Sequence, residues 1–335
     1  MSMNYAHVAG VAVHLPERSM STAELEERLA ESSPGVRIPR GLIEQATGVQ
    51  RRHLAAPGQT AATMAVAAAR QVMEETGLAA PSLDLIIFAG VSCDAVEPAT
   101  AHMVAAELGA GCPVFDVRNA CNSVLNAIEL ADALIAAGQY RTILIACGEI
   151  ATSSVRWRVE SPDDFVAAIP SYTVSDSGTA LLLQAAAAPG VVAHRFCANS
   201  SHWPAAVMPI TPAPEGGFEV APFRVDFVDL AVGVRKLDHA ALTGPLTERG
   251  LDWDDLAAIC VHQASLASLN LICELAGIPL DKVEVTIVEH GNLVASSLPA
   301  QLHQAIRAGR VQRGDLVALV GLASGVSAGT VLLRW

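Results

Sequence analysis

The stretch Val114–Gly138, VFDVRNACNSVLNAIELADALIAAG, decides how this chain is read. Its first four residues, Val114-Phe115-Asp116-Val117, form a short apolar run that leans towards a strand. From Val124 onwards apolar residues recur at helical spacing, at Val124, Leu125, Ile128, Ala131, Leu134 and Ile135. Glu129 and Asp132 are the charged residues of that segment, so most of the helix circumference is expected to be buried. Cys121 falls at the junction. There it would face the unsatisfied N–H groups and positive dipole end of the helix, which favour thiolate over thiol. A free cysteine also commonly serves as a small core hydrophobe, so the rest of the chain has to separate a nucleophile from packing.

Outward from this unit the pattern repeats. Upstream, residues 6–13 read as an opening strand, and Ser21 with Glu24 form a capping-box pattern for a helix running to Ala30. Residues 31–60 carry arginines among prolines and glycines and read as irregular surface, either a solvated loop or a contact for an anionic substrate arm. Thr60–Glu75 reads as a helix, Leu83–Val91 as a buried strand and Thr100–Leu108 as a helix. Downstream, Thr142–Cys147 is a buried strand, 151–178 is irregular, and Thr179–Leu183 resumes a strand. A second series follows the Pro189-Gly190 break. It comprises a strand over 190–196, a proline-rich loop over 198–221, and a helix around Phe227–Leu246. Next come a strand at Leu256–Val261 with a helix at Gln263–Leu275, and a strand at Val283–Val288 with a helix at Ala295–Ala308. The strand Leu316–Leu319 leads into the glycine-rich 321–329 and a terminal strand.

Strands alternating with helices imply mixed or parallel sheets covered by helices, an α/β fold. The two series suggest an internal duplication, with residues 1–183 and 184–335 as halves, though no repeat is visible residue by residue. Reactive side chains in such folds gather where strands end and helices begin. Cys121, His262 and Asn292 all fall at such junctions.

Composition narrows the function. Of 335 residues, 52% are hydrophobic and 16% charged, as in a well-buried enzyme core. The net charge of −13 argues against nucleic acid, whose phosphates need a basic footprint. No apolar run approaches the roughly 20 residues that cross a bilayer, and the first residues carry no basic n-region, so a soluble cytoplasmic protein is expected. The seven cysteines show no CxxC and no metal-ligand spacing with histidine, and an odd, scattered set fits a reducing compartment.

A thiolate, an imidazole and a carboxamide together can carry out acyl transfer: the sulfur takes the acyl group, and the other two donate hydrogen bonds to a thioester oxygen as it becomes an enolate. The contexts of these residues resemble the β-ketoacyl-(acyl-carrier-protein) synthase III family of the thiolase superfamily. The matching pieces are FDVRNAC at 115–121, VHQAS at 261–265, EHGNLVASSLP at 289–299 and the closing GLASGVSAGTVLLRW. ATGVQRRHLAAPGQT at 46–60 and VSDSGTALLL at 174–183 add to them. The resemblance implies a five-layered αβαβα thiolase-like fold, usually a homodimer. It makes Cys121 the acyl-accepting nucleophile and His262 with Asn292 the pair that activates an extender thioester. The backbone N–H groups of Cys121 and Ser324 become the oxyanion hole. It implies no permanently bound cofactor: the acyl thioester of coenzyme A or of acyl carrier protein is the substrate.

The chain also departs from that family. The basic residues that dock an acidic carrier are replaced by Ala267, Glu274 and Leu275, and the tryptophan that stacks on coenzyme A has no counterpart in Pro34–Ala46. The arginine before Thr47-Gly48 is Ala46, and the glycine-phenylalanine after the nucleophile is Ser123-Val124. Glu97 stands where many members place an apolar residue lining the partner subunit's acyl pocket, so a short, polar or aromatic acyl group is expected. These departures point to a specialised relative in polyketide or antibiotic biosynthesis. Decarboxylative condensation with a malonyl-type thioester is the first expectation. Acyl transfer to a hydroxyl or amine of a small acceptor and a non-catalytic dimer partner are its rivals.

Overall fold

A computed structural model describes residues 4–335; the first three, which open the N-terminal stretch read above, lie outside it. The chain begins with β1 (Tyr5–His14), β2 (Ser19–Ser21), α1 (Thr22–Ser32), α2 (Leu42–Thr47), β3 (Arg51–His53) and α3 (Ala61–Thr76). It continues through β4 (Leu85–Ala89), α4 (Thr100–Leu108), β5 (Val114–Val117), α5 (Ser123–Ala136), β6 (Thr142–Glu149), α6 (Pro162–Ala168) and β7 (Ser177–Ala186). Five of these strands form a mixed sheet in the order β1-β7-β6-β4-β5, and β2 pairs separately with β3.

The second series supplies β8 (Val191–Ala198), the short β9 (Ala206–Val207), β10 (Ile210–Pro212), β11 (Phe218–Val220) and β12 (Arg224–Val225), then α7 (Phe227–Arg235) and α8 (Ala240–Thr247). After β13 (Ala258–Val261) come α9 (Leu266–Ala276), the single turn α10 (Ile287–His290), α11 (Ser297–Arg307), β14 (Leu316–Ala323) and β15 (Ser327–Arg334). Its sheet runs β13-β14-β15-β8.

Alternation along the buried strands generates the layers. Leu85 and Ile87 of β4 face a core shared with α5 and α11, whereas Ile86 and Phe88 face a core shared with α3 and α4. In β14, Val317 and Leu319 join the same central core, while Ala318 and Val320 point to a third core with α8 and α9. Two sheets thus sandwich α5 and α11, with one helical layer outside each: the five-layered αβαβα arrangement. α3 lies unusually close to its sheet. A Cβ on Gly148 would stand 1.8 Å from Ala61 O, so the contact exists only because glycine has no side chain. Among the described residues no helix is long and apolar enough to cross a membrane.

Four sequence expectations are corrected. Val283–Val288 is not a strand: Val283 makes one isolated bridge to Ile259, and a helical turn follows at Ile287–His290. The side chain of Gln263 takes over the backbone groups that a ladder would use. Its Nε2 donates to Glu284 O at 2.6 Å, and its Oε1 accepts from Thr286 N and Ile287 N at 3.0 Å. The helix expected over 227–246 is two helices, broken between Arg235 and Ala240, where Asp238 Oδ1 accepts from Ala240 N at 3.0 Å. The irregular 31–60 and 151–178 contain α2 with β3 and α6, respectively. The 198–221 loop is ordered as short strands, with β10 paired to β11.

Candidate active site

Cys121 sits in a tight double turn rather than on the helix. Asn122 N donates to Asn119 O at 3.0 Å and Ser123 N to Ala120 O at 3.1 Å, and Ser123 Oγ also donates to Ala120 O at 2.7 Å. Ala120 pays for this turn with φ of +48°, a left-handed conformation that costs an L-residue about 1–2 kcal/mol. The other non-glycine residue with positive φ among the described residues is Val294, at +55°, two positions after Asn292. Strained backbone therefore marks both turns.

His262 follows β13 directly, and its N–H donates to Val320 O at 2.9 Å, which sets it beside Gly321. Asn122, the residue after Cys121, packs on that same glycine: a Cβ there would lie 2.1 Å from Asn122 Oδ1. Asn122 Nδ2 also donates to Ser327 O at 3.2 Å and to Ser327 Oγ at 3.0 Å, tying the Cys121 turn to the β14–β15 turn that contains Ser324.

Asn292 is held by its backbone, with N–H donated to Thr173 O at 2.7 Å and its carbonyl accepting from Ser175 N at 3.0 Å. Four residues further on, Ser296 Oγ donates across the core to Cys147 Sγ at 3.3 Å. Cys147 in turn lies within electrostatic reach of Cys121. The turns bearing Cys121, His262 and Asn292 are thus connected through Asn122–Gly321 on one side and Cys147–Ser296 on the other.

The electrostatics correct one expectation. Although Cys121 keeps partial exposure, protein surrounds its thiol, and burial together with the nearby Glu149 carboxylate pushes its pKa up to about 12. Asn122, not Cys121, is the N-cap of α5, so the dipole does not prevail and the resting sulfur is a thiol. Burial lowers the His262 pKa to about 4, leaving a neutral imidazole. Its Nδ1 is buried without a hydrogen-bond partner among the described residues, and the neutral ring carries one N–H donor. Asn292 Oδ1 accepts from Val294 N at 2.9 Å, which fixes the amide orientation and leaves the NH₂ as a donor. The site can therefore offer one sulfur nucleophile and two neutral hydrogen-bond donors.

Glu97 is exposed on the chain's own surface, next to Val96, which is 84% exposed. Ser324 lies in the β14–β15 turn. Sequence reasoning passed over Asn122, Gln263 and Glu149. Only Glu149 left a signal, as a charge closing an otherwise apolar strand, TILIACGE.

Residues 115–200 match the family model for 3-oxoacyl-[acyl-carrier-protein] synthase III, and residues 246–335 match the model for its C-terminal part. The chain is 33% identical to a beta-ketoacyl-[acyl-carrier-protein] synthase III of Bordetella petrii, over 99% of both chains. It is 30% identical to one of Methylococcus capsulatus, again over 99% of both. The solved 3-oxoacyl-[acyl-carrier-protein] synthase III of Aquifex aeolicus superposes with a TM-score of 0.82 at 28% identity, covering 98% of this chain and 100% of that one. OleA of Xanthomonas campestris shares the fold, with a TM-score of 0.86 at 23% identity over 100% of this chain and 98% of that one. With this full-length identity, matching family models and a common thiolase-type fold, the chain belongs to the 3-oxoacyl-[acyl-carrier-protein] synthase III family of ketosynthases.

Proposed function

We propose that this enzyme loads an acyl group from a coenzyme A or carrier-protein thioester onto Cys121 and passes it to the carbon of a malonyl-type thioester. In the first step the Cys121 sulfur attacks the thioester carbonyl, and its proton leaves with the departing donor thiol. In the second the malonyl carboxylate departs as CO₂. The resulting enolate oxygen is held by the His262 ring N–H and the Asn292 NH₂, and its carbon attacks the acyl-Cys121 carbonyl. The N–H groups of Cys121 and Ser324 receive the oxyanion, and collapse expels the Cys121 sulfur as a thiolate, which takes a proton from solvent as the β-ketoacyl thioester is released. The observation that carries this reading is the pairing of a neutral His262 with an amide whose NH₂ is left free by Val294: both groups donate, as enolate stabilisation requires.

The halves 1–183 and 184–335 would then divide the work, the first bringing the nucleophile and the second the histidine and asparagine. The separate sheets drawn from the two series support that division. A homodimer is supported by β5, which ends its sheet with one side unpaired. Seven free cysteines suit the cytoplasm. A role in polyketide or antibiotic biosynthesis is supported by α9, which exposes Ala267 and Glu274 where carrier-docking relatives hold basic residues. The same feature supports a second reading, acyl transfer to a hydroxyl or amine with His262 as general base.

Intact-protein mass spectrometry with a panel of acyl thioesters tests the proposal. The parent should gain one acyl mass and Cys121→Ala none. A Cys121→Ala variant that still forms the adduct overturns the assignment. Release of CO₂ from a malonyl thioester then separates condensation from simple transfer.

A further inference from the structure

Glu149 closes β6 with its side chain fully buried, and no role has yet been given to it. Its two oxygens accept from Val91 N and Ser92 N, each at 2.9 Å. Ser92 Oγ accepts from Ile150 N at 3.0 Å, so the Val91-Ser92 step is fastened on both sides of the carboxylate. Cys147 Sγ lies 4.0 Å from Glu149 Oε1, and the backbone of Ala295 also donates to the carboxylate. One buried group therefore meets three parts of the site: the floor behind Cys121, the turn after Asn292, and the root of the loop that carries Glu97.

That loop is pinned twice more. Asp94 accepts from Ala61 N and Ala62 N at 2.9 and 2.8 Å, and Asp116 of β5 accepts from Thr100 N and Ala101 N at 2.8 and 2.9 Å. Between the pins the tip at Val96, Glu97 and Pro98 stands exposed. A loop fixed in this way moves as one body with its root. The titratable groups facing the Cys121 thiol are Glu149 and Cys147, both from β6, with neutral His262 across the Asn122–Gly321 contact. Burial raises the pKa of Glu149 itself, and in its ionised form the carboxylate disfavours a second negative charge on that sulfur.

We propose that Glu149 is a positioning residue of this site, whose one buried carboxylate ties the root of the Val91–Ala99 loop to the floor behind Cys121, so that loop placement and thiol reactivity are set together. The proposal deepens the reading of Cys121 as the acyl acceptor and rests on it for its functional meaning. A displacement of the loop tip then reaches the nucleophile through a single side chain.

The test uses the full-length protein and two variants read in two ways. Alkylation of Cys121 by iodoacetamide, followed against pH by peptide mass, reports the sulfur. Hydrogen exchange at the Val91 and Ser92 amides reports the loop root. Glu149→Gln keeps the shape but loses the charge and one acceptor; alkylation at pH 8 should rise about tenfold, the effect of removing one close like charge, and exchange should quicken. Glu149→Asp keeps the charge but shortens the reach; exchange should quicken, and alkylation should change at least about threefold as the loop root shifts. Asp94→Ala removes the loop's hydrogen bonds to Ala61 N and Ala62 N, and should change alkylation at least about threefold. Unchanged alkylation in Glu149→Gln overturns the proposal, as does unchanged exchange in both Glu149 variants. If the Glu149 variants do not fold, unchanged alkylation in Asp94→Ala overturns it alone. Iodoacetamide reads the sulfur without any acyl thioester, so these outcomes are distinct from failure of Cys121 as acyl acceptor.

Discussion

Asn122 Oδ1 occupies the space that a side chain on Gly321 would need, 2.1 Å from where its Cβ would stand. This contact fixes the turn of Cys121 against the strand end beside His262. Gly321→Ala should therefore lose about 1–3 kcal/mol of stability by overpacking, and Cys121 acylation should slow with it. Chemical denaturation and acyl-adduct mass spectrometry check the two effects; an unperturbed adduct rate would separate Asn122 from the nucleophile's placement.

His262→Ala and Asn292→Ala should each suppress malonyl decarboxylation by about 10²–10³, the usual cost of removing one preorganised donor to a developing oxyanion. Acylation of Cys121 should fall far less. The comparison is labelled CO₂ release against adduct formation. If the enzyme transfers to oxygen or nitrogen instead, His262 will dominate and Asn292 will matter little, whereas equal and mild losses exclude both mechanisms.

Acid should weaken the fold through His262. Burial lowers its pKa from the ordinary 6.5 to about 4, so its contribution is complete above pH 6.5 and is lost as pH falls towards 4. Between pH 7 and pH 5 this amounts to about 2 kcal/mol. Burial also lowers the pKa of His7, His14, His290 and His303, so the informative quantity is the difference between the parent and His262→Gln. The variant should show a shallower acid slope in denaturation at the two pH values; identical slopes would refute the assignment.

Glu97 is the specificity prediction. If its projecting tip enters a partner's acyl pocket, an unpaired carboxylate there would cost several kcal/mol against a long alkyl chain. The parent should accept acetyl, hydroxylated or aromatic thioesters faster than octanoyl, and Glu97→Phe should reverse that order. A parent preferring octanoyl, unchanged in the variant, removes Glu97 from the pocket.

The strands and the helices flanking them were legible because alternation and helical spacing report burial directly, whereas the five-layered order was implied by the resemblance to the synthase III family. Leu85–Ala89 and Thr142–Glu149 are apolar on both faces, as a sheet between two helical layers must be. The Val283–Val288 error has a physical source: β-branched residues read as a strand, but Gln263, some twenty residues upstream, claims their backbone. The junction positions of Cys121 and His262 were readable from local pattern, whereas Asn292 follows a helical turn and not the expected strand. The state of the Cys121 thiol was not readable, since Glu149 and the surrounding burial come from distant sequence. Asn122 against Gly321 is a contact between residues two hundred positions apart, and nothing local announces it.

Gln263 has one more consequence. It follows His262 directly, and its single amide satisfies three backbone groups on the segment leading to Asn292. An amide has polarity, with one end giving and the other receiving. Rotated by half a turn it would set donor against donor and acceptor against acceptor, and all three bonds would fail together. The spacing between the imidazole and the carboxamide is therefore held by a latch with only one closed position, and no gradual loosening is open to it.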